Sequence, residues 1–336
     1  MHFKKGAYWL LGVLVLIALF LVNIFYGTVS IPVSAVMDIF LGRTVEPSAW
    51  SYIILQSRLP QAVTALLAGS ALAVSGLMLQ TLFRNPLAGP DILGVSSGAN
   101  LGVAIVFLAV GGSLGSGLPV VAAAFIGALL VLSLILYFST KIQSNVLILI
   151  IGLMVGYLAS SGIAFMNAWA ASDRIRSYIL WGLGSFSSVS MAQLPLFSIC
   201  IVLGLAFSVL LIKPLNLLLL GERYAANLGI NIFRTRLFIL LITGFLTATV
   251  TAYCGPVAFI GLAVPHVTRM LLGESNQQKL LPAVGITGGA IALICNLLTC
   301  LPFGHNLLPL NAVTPLLGAP VVLYVVLNRN NRSYFH

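Results

Sequence analysis

The chain has 336 residues, 60% of them hydrophobic and only 7% charged, and its mean hydropathy is +1.11. A soluble domain could not cover its own surface with these residues, so the composition excludes a water-soluble enzyme or binding module and requires a polytopic membrane protein. The formal charge of +10 calls for no nucleic-acid partner, because membrane lipid with anionic headgroups and the bias of basic residues toward the cytoplasmic side account for it.

At roughly 20 residues per span the chain holds about ten helices and no separate soluble domain, so 1–336 reads as a single transmembrane domain. Residues 7–27 form one apolar run behind Lys4 and Lys5. It is too long for a signal-peptide core, no small-x-small cleavage site follows it, and it reads as the first span. Between Ser30 and Gly42, Val33, Val36, Met37 and Phe40 recur at three- and four-residue steps, which predicts a short helix lying on the membrane surface. The second span is predicted at 61–82, where Ala65, Gly69, Ala73 and Gly76 lay small residues along one face for a close neighbour.

After a polar, Pro/Gly-rich turn, RNPLAGP, spans are predicted at 93–110, 118–139, 146–168 and 191–212, with Gly152 and Gly156 making a small-residue face on the fifth. The stretch ASDRIRSYILWGLGSFSSVS before the sixth is too polar at its start to cross. Lys213 to Arg236 is the most charged interval in the chain and is predicted to touch something soluble. Spans follow at 237–253, 256–272, 281–300 and 312–327. The eighth is short and contains Pro265, so a kinked or broken helix is predicted there.

With both termini in the cytoplasm and ten alternating spans, twelve of the sixteen Lys and Arg fall inside, leaving Arg43, Arg58, Arg174 and Arg176 outside. Two sets of five spans would point in opposite directions, as in an inverted repeat, although the halves are only faintly similar. Cys200, Cys254, Cys295 and Cys300 lie in or beside apolar segments with no C-x-x-C pair and no histidine at metal spacing. They read as buried free thiols, and no metal site is expected.

Three stretches carry motifs. Arg58 opens ArgLeuPro at 58–60, followed by Ser75, Gly76 and Gln80, then ArgAsnProLeuAla at 84–88, Pro90, and LeuGlyValSerSerGlyAla at 93–99. Residues 217–236 read LLLLGERYAANLGINIFRTR, and residues 255–273 read GPVAFIGLAVPHVTRMLLG. Together these resemble the signatures of the FecCD-type permeases, the membrane subunits of bacterial ABC importers for iron-siderophores, haem and vitamin B12.

The resemblance implies an all-α, type II ABC importer permease of about ten transmembrane helices in the bacterial inner membrane. It implies a homodimer with the path between protomers, two ATPase subunits inside, and a periplasmic or lipid-anchored substrate-binding protein outside. The implied cargo is an iron-siderophore or related metal chelate, with cobalamin or haem as alternatives. No cofactor is expected in this chain. The sequence has no Gly-Lys dipeptide and therefore no P-loop, so ATP and Mg belong to the partner ATPase.

By the same resemblance Gly221, Glu222, Arg223, Ala225, Ala226, Leu228 and Gly229 form the ATPase-coupling element. Glu222 and Arg223 would pair at the interface, Ala225, Ala226 and Leu228 would give a small apolar face, and Gly229 would end the helix. Ser144, Asn145 and Val146 correspond to a cytoplasmic gate, an ordinary helix cap being the other reading. Arg84, Asn85, Pro86, Gly94, Gly98, Gly261, Pro265 and His266 are motif positions with structural roles.

Docking of the binding protein falls to Arg58, Gln61, Arg174, Arg176 and Cys300. Here the chain departs from the family, because Gln61, Asn296 and Cys300 stand where charged residues are common. Arg58 is the retained outer arginine, Arg174 and Arg176 are substitutes, and the loop 301–311, with the lone His305, is expected to add contacts. An intramembrane enzyme built on Ser160, Ser161 or His266 would need a nucleophile and base, or two carboxylates, converging within the bilayer, and a proton- or sodium-driven transporter would need buried carboxylates. The six acidic residues all lie at predicted ends or loops.

Overall fold

The computed structural model describes residues 2–111, 117–142, 144–300 and 308–327, and every regular element among them is helical. The basic residues Arg329 and Arg332, together with His305 and most of the 301–311 loop, lie outside the described residues.

The first span is α1 (His2–Phe25). The predicted surface helix is α2 (Val33–Phe40), which buries Ala35, Val36 and Ile39 against Ile24, Ile31 and Ile54. Its other face leaves Val33, Met37 and Phe40 exposed, as a helix lying in the lipid interface requires. The second span begins earlier than expected. α3 (Ala49–Tyr52), a π-helical segment (Ile53–Arg58) and α4 (Leu59–Phe83) run on as one 35-residue helix, so Arg58 lies inside a helix rather than in a loop before it.

Then come α5 (Val95–Ala104, continued by a π-helical stretch to Gly111), α6 (Leu118–Lys141), α7 (Asn145–Trp169) and α8 (Ser172–Gly182), the last covering the stretch too polar to span. The sixth span, α9 (Leu194–Leu210), bends by 52° into α10 (Ile212–Leu219). α11 (Glu222–Asn227), α12 (Ile232–Cys254), α13 (Ile260–Leu272), α14 (Gln277–Thr299) and α15 (Leu310–Leu327) complete the chain. Among the described residues five helices are long and apolar enough to cross a membrane, the bent pair counted as one span makes six, and four further apolar helices of 10–17 residues lie at other positions where spans were expected.

Two of the short helices start inside the bundle. Gly94, left-handed at φ +73°, sits against the Gly152 carbonyl, about 10 Å along α7 from Asn145. Gly261, at the head of α13, packs on the Leu72 carbonyl halfway along α4. The break in the eighth span is therefore at Phe259, left-handed at φ +68°, and α13 passes through Pro265 uninterrupted. α5 runs away from the Glu222 end of the molecule, whereas α13 runs toward it.

The neighbours repeat in a fixed pattern. α4 packs on α14 as α12 packs on α6, α5 packs on α6 and α7 as α13 packs on α14 and α15, and α5 meets α12 as α13 meets α4. Helices five spans apart cross in opposite senses, so this exchange is an inverted repeat that the sequences of the halves barely reveal.

α4 and α12 form the centre. In α4, 78% of the apolar stretch is buried in the chain, against 17% in α7. Gly69 faces the Gly288 backbone, and a Cβ at Gly76 would lie 1.7 Å from the Gly261 carbonyl oxygen, so the small-residue face does bring backbones together. The central helices also bury hydroxyls. Thr81, Thr243, Thr247 and Thr249 donate to carbonyls one turn back in their own helices, which satisfies them where water is absent.

Candidate functional site

Within the charged interval a short helix is set off in the chain by two glycines. Gly221 (φ +108°) and Gly229 (φ +87°) adopt backbone angles that other residues disfavour, and between them α11 turns as a separate unit. Its Ala225 is fully buried, while Arg223, Tyr224, Ala226, Asn227 and Leu228 project outward. Asn231 then caps α12, its Oδ1 accepting from Arg234 N at 3.0 Å.

Two expectations for this helix are corrected. Ala225 packs inward instead of contributing to the projecting apolar face, and its place is taken by Tyr224, 68% exposed, which the sequence reading passed over. Glu222 does not pair with Arg223. Its Oε1 accepts from Asn145 Nδ2 at 2.7 Å and faces Arg236 Nη2 at 3.5 Å. Positions 222 and 225 lie three apart and share the inward face, so the side chains between and after them point away.

The structure brings the proposed gate residues beside this helix. Ser144 is the N-cap of α7, its Oγ accepting from Leu147 N at 3.5 Å, and Val146 is 64% exposed. Asn145 also donates to Leu82 O at 3.2 Å, near the end of α4. There Arg84 takes a left-handed conformation that ends the helix, and Asn85 Oδ1 accepts from Leu87 N to hold the turn. His266 Nε2 donates to the Pro86 carbonyl oxygen at 2.7 Å, so the motif histidine ties α13 to this turn. Gly98 lies against the Gly127 carbonyl, and Gly94 and Gly261 make the close approaches already described.

At the opposite end the arginine expected to receive the binding protein is engaged elsewhere. Arg58 is only 6% exposed, and its guanidinium donates to the carbonyl oxygens of Ile24, Phe25 and Val29. The first two end α1, where unpaired carbonyls attract a cation. Arg58 is thus a helix cap and not a rim charge.

Gln61 and Asn296 join Asn23 in a chain of amides. Gln61 donates to Asn296 and Asn296 to Asn23, each at 2.8 Å. These positions hold a neutral network whose amides bond to one another. Gln61, Asn296 and Cys300 line a cleft of about 50 Å³ with Ser185 and Ser187. Arg174 and Arg176, both on α8, remain exposed. A further residue escaped the sequence reading. Asn311 donates to the Gly182 and Pro256 carbonyls and accepts from Ala258 N, joining the start of α15 to two connections.

A model of the FecCD transport family matches residues 15–328. The chain belongs to the FecCD transport family. Among its relatives is a vitamin B12 import system permease protein, BtuC, of Klebsiella pneumoniae, 33% identical over 98% of this chain and 96% of the relative. The BtuC of Salmonella typhi is 34% identical over 84% of this chain and 87% of its own length. A solved ABC transporter classed as metal-chelate type, in an inward-facing conformation, superposes with a TM-score of 0.82 at 28% identity, covering 95% of this chain and 97% of the other. FecCD members are permease subunits, and the type II importer fold described above is theirs.

Proposed function

We propose that this FecCD permease works as a homodimer in the bacterial inner membrane, with the Glu222 end cytoplasmic, and imports a metal chelate on ATP hydrolysis by two partner ATPase subunits. The observation that carries the reading is α11, a glycine-hinged helix that turns Glu222 and Ala225 into the bundle and presents Arg223, Tyr224, Ala226, Asn227 and Leu228 to a partner. A soluble ATPase with a matching cleft fits that surface, because exposed Tyr224 and Leu228 beside cations have no reason to face water. Both termini then lie inside and α8 faces the periplasm, where Arg174 and Arg176 meet an acidic binding protein.

Cobalamin is the cargo we favour over an iron-siderophore or haem, because the two relatives reported above, covering 98% and 84% of the chain, are named as vitamin B12 permeases. Reconstitution with the cognate ATPase and binding protein in proteoliposomes tests both levels. Cyanocobalamin uptake that requires ATP and stops when the ATPase is inactivated is the expected result. Uptake of ferrichrome but not cyanocobalamin would replace the cargo, and uptake driven by a proton gradient without the ATPase would overturn the importer reading.

A further inference from the structure

We infer that Glu222 is the latch through which the coupling helix moves the gate, a positioning role that rests on the importer reading above. One carboxylate oxygen joins three parts of the bundle. It accepts from Asn145 at the first position of α7 and faces Arg236 on α12, whose Nη1 donates to Ile142 O in the connection before α7. Asn145 reaches from the same amide nitrogen to Leu82 O on α4.

Leu82 O and the Glu222 carboxylate only accept, so the nitrogen of the Asn145 amide must face them. The amide oxygen is then turned into the protein, where it is buried and finds no partner among the described residues. A buried unpaired acceptor disfavours this arrangement relative to one in which the start of α7 has shifted. The Glu222 bond opposes that shift and holds the gate segment where it is. Because α11 hangs between Gly221 and Gly229, a partner that displaces it pulls Glu222 away from Asn145 as a unit. α7 is then released at the end where Ser144, Asn145 and Val146 lie.

The test uses the complete permease–ATPase complex in nanodiscs and needs no cargo. In a Val146→Cys background, disulfide crosslinking between the two protomers is compared without nucleotide and with ATP under a hydrolysis block. The expected wild-type response is a change in crosslink yield of about tenfold, within the usual range of site-to-site coupling. Glu222→Ala is expected to abolish that response while the ATPase subunits still co-purify and hydrolyse ATP. Asn145→Ala should do the same, and the double variant should be no worse than either, as residues acting through one contact behave.

Glu222→Gln keeps an acceptor for Asn145 and should restore most of the response, which separates the latch from a general loss of folding. Loss of ATPase co-purification in Glu222→Ala with a normally folded permease would overturn the latch, because Glu222 would then be an interface residue. A full nucleotide response in Glu222→Ala would overturn it as well. A wild-type background with no response to nucleotide at position 146 would remove the gate assignment and the latch with it. ATP-dependent uptake in the reconstitution above would still decide the importer reading separately.

Discussion

The Arg58 guanidinium donates to Ile24, Phe25 and Val29 carbonyls, so its charge is spent on the end of α1 and the chain that follows. Arg58→Ala leaves those carbonyls without a donor in a buried site and is expected to lower stability by about 2 kcal/mol, read from thermal unfolding in detergent. The salt dependence of binding-protein association should not change. Reversing Arg174 and Arg176 to Glu should instead slow association at low salt, because exposed charges steer encounter. A steeper effect from Arg58→Ala than from the α8 reversals would show that Arg58 does face the partner. Gly76 makes a second residue-level expectation. Gly76→Ala must push α4 from α13 and should cost about 1–3 kcal/mol, whereas Gly182→Ala, with open space around it, should be nearly neutral by the same assay.

At the scale of one element, α11 separates two alanines that look alike in sequence. Ala225 is buried against its own bundle and Ala226 is exposed. Ala225→Glu therefore places an unpaired charge inside the permease, at a cost of several kcal/mol, and is expected to lower its own thermal stability. Ala226→Glu should leave that stability unchanged and abolish co-purification of the ATPase. If both variants lose the ATPase with unchanged stability, both alanines face the partner and the inward turn of α11 is wrong. The bend of 52° between α9 and α10 serves the same end, because it carries the chain from a spanning direction toward α11.

Across the whole molecule, the most buried of the long spans, α4 and α12, are less uniformly apolar than the exposed α7. α4 and α12 carry Thr64, Ser75, Gln80, Thr243 and Thr251 into the interior, while α7 exposes Tyr157, Leu158, Phe165 and Trp169. Lipid accepts the second kind of surface, and so does another copy of the chain. With the gate residues at the start of α7, we expect a two-fold axis near that end. The mass of the detergent-solubilised complex should correspond to two permeases and two ATPases. A complex with a single permease would remove the path between protomers.

The amino-acid sequence by itself determined that the chain lives in a membrane, where nearly every span lies, and which family it joins. Hydropathy is a local property, and motifs such as RNPLAGP and GPVAFIGLAVPHVTR are contiguous, so both can be read without knowing what packs against what. The small-residue face of α4 was legible for the same reason. Only the tertiary structure decided that Arg58 points back onto α1, that Glu222 turns to Asn145 rather than to Arg223, and that Phe259 rather than Pro265 breaks the eighth span. Each of these depends on acceptors or backbones about 30 residues or more away in the chain, or on a helix rotation of a fraction of a turn. The partner of a charge in a bilayer is chosen by whichever unpaired group the packing brings within reach, and no local pattern records that distance.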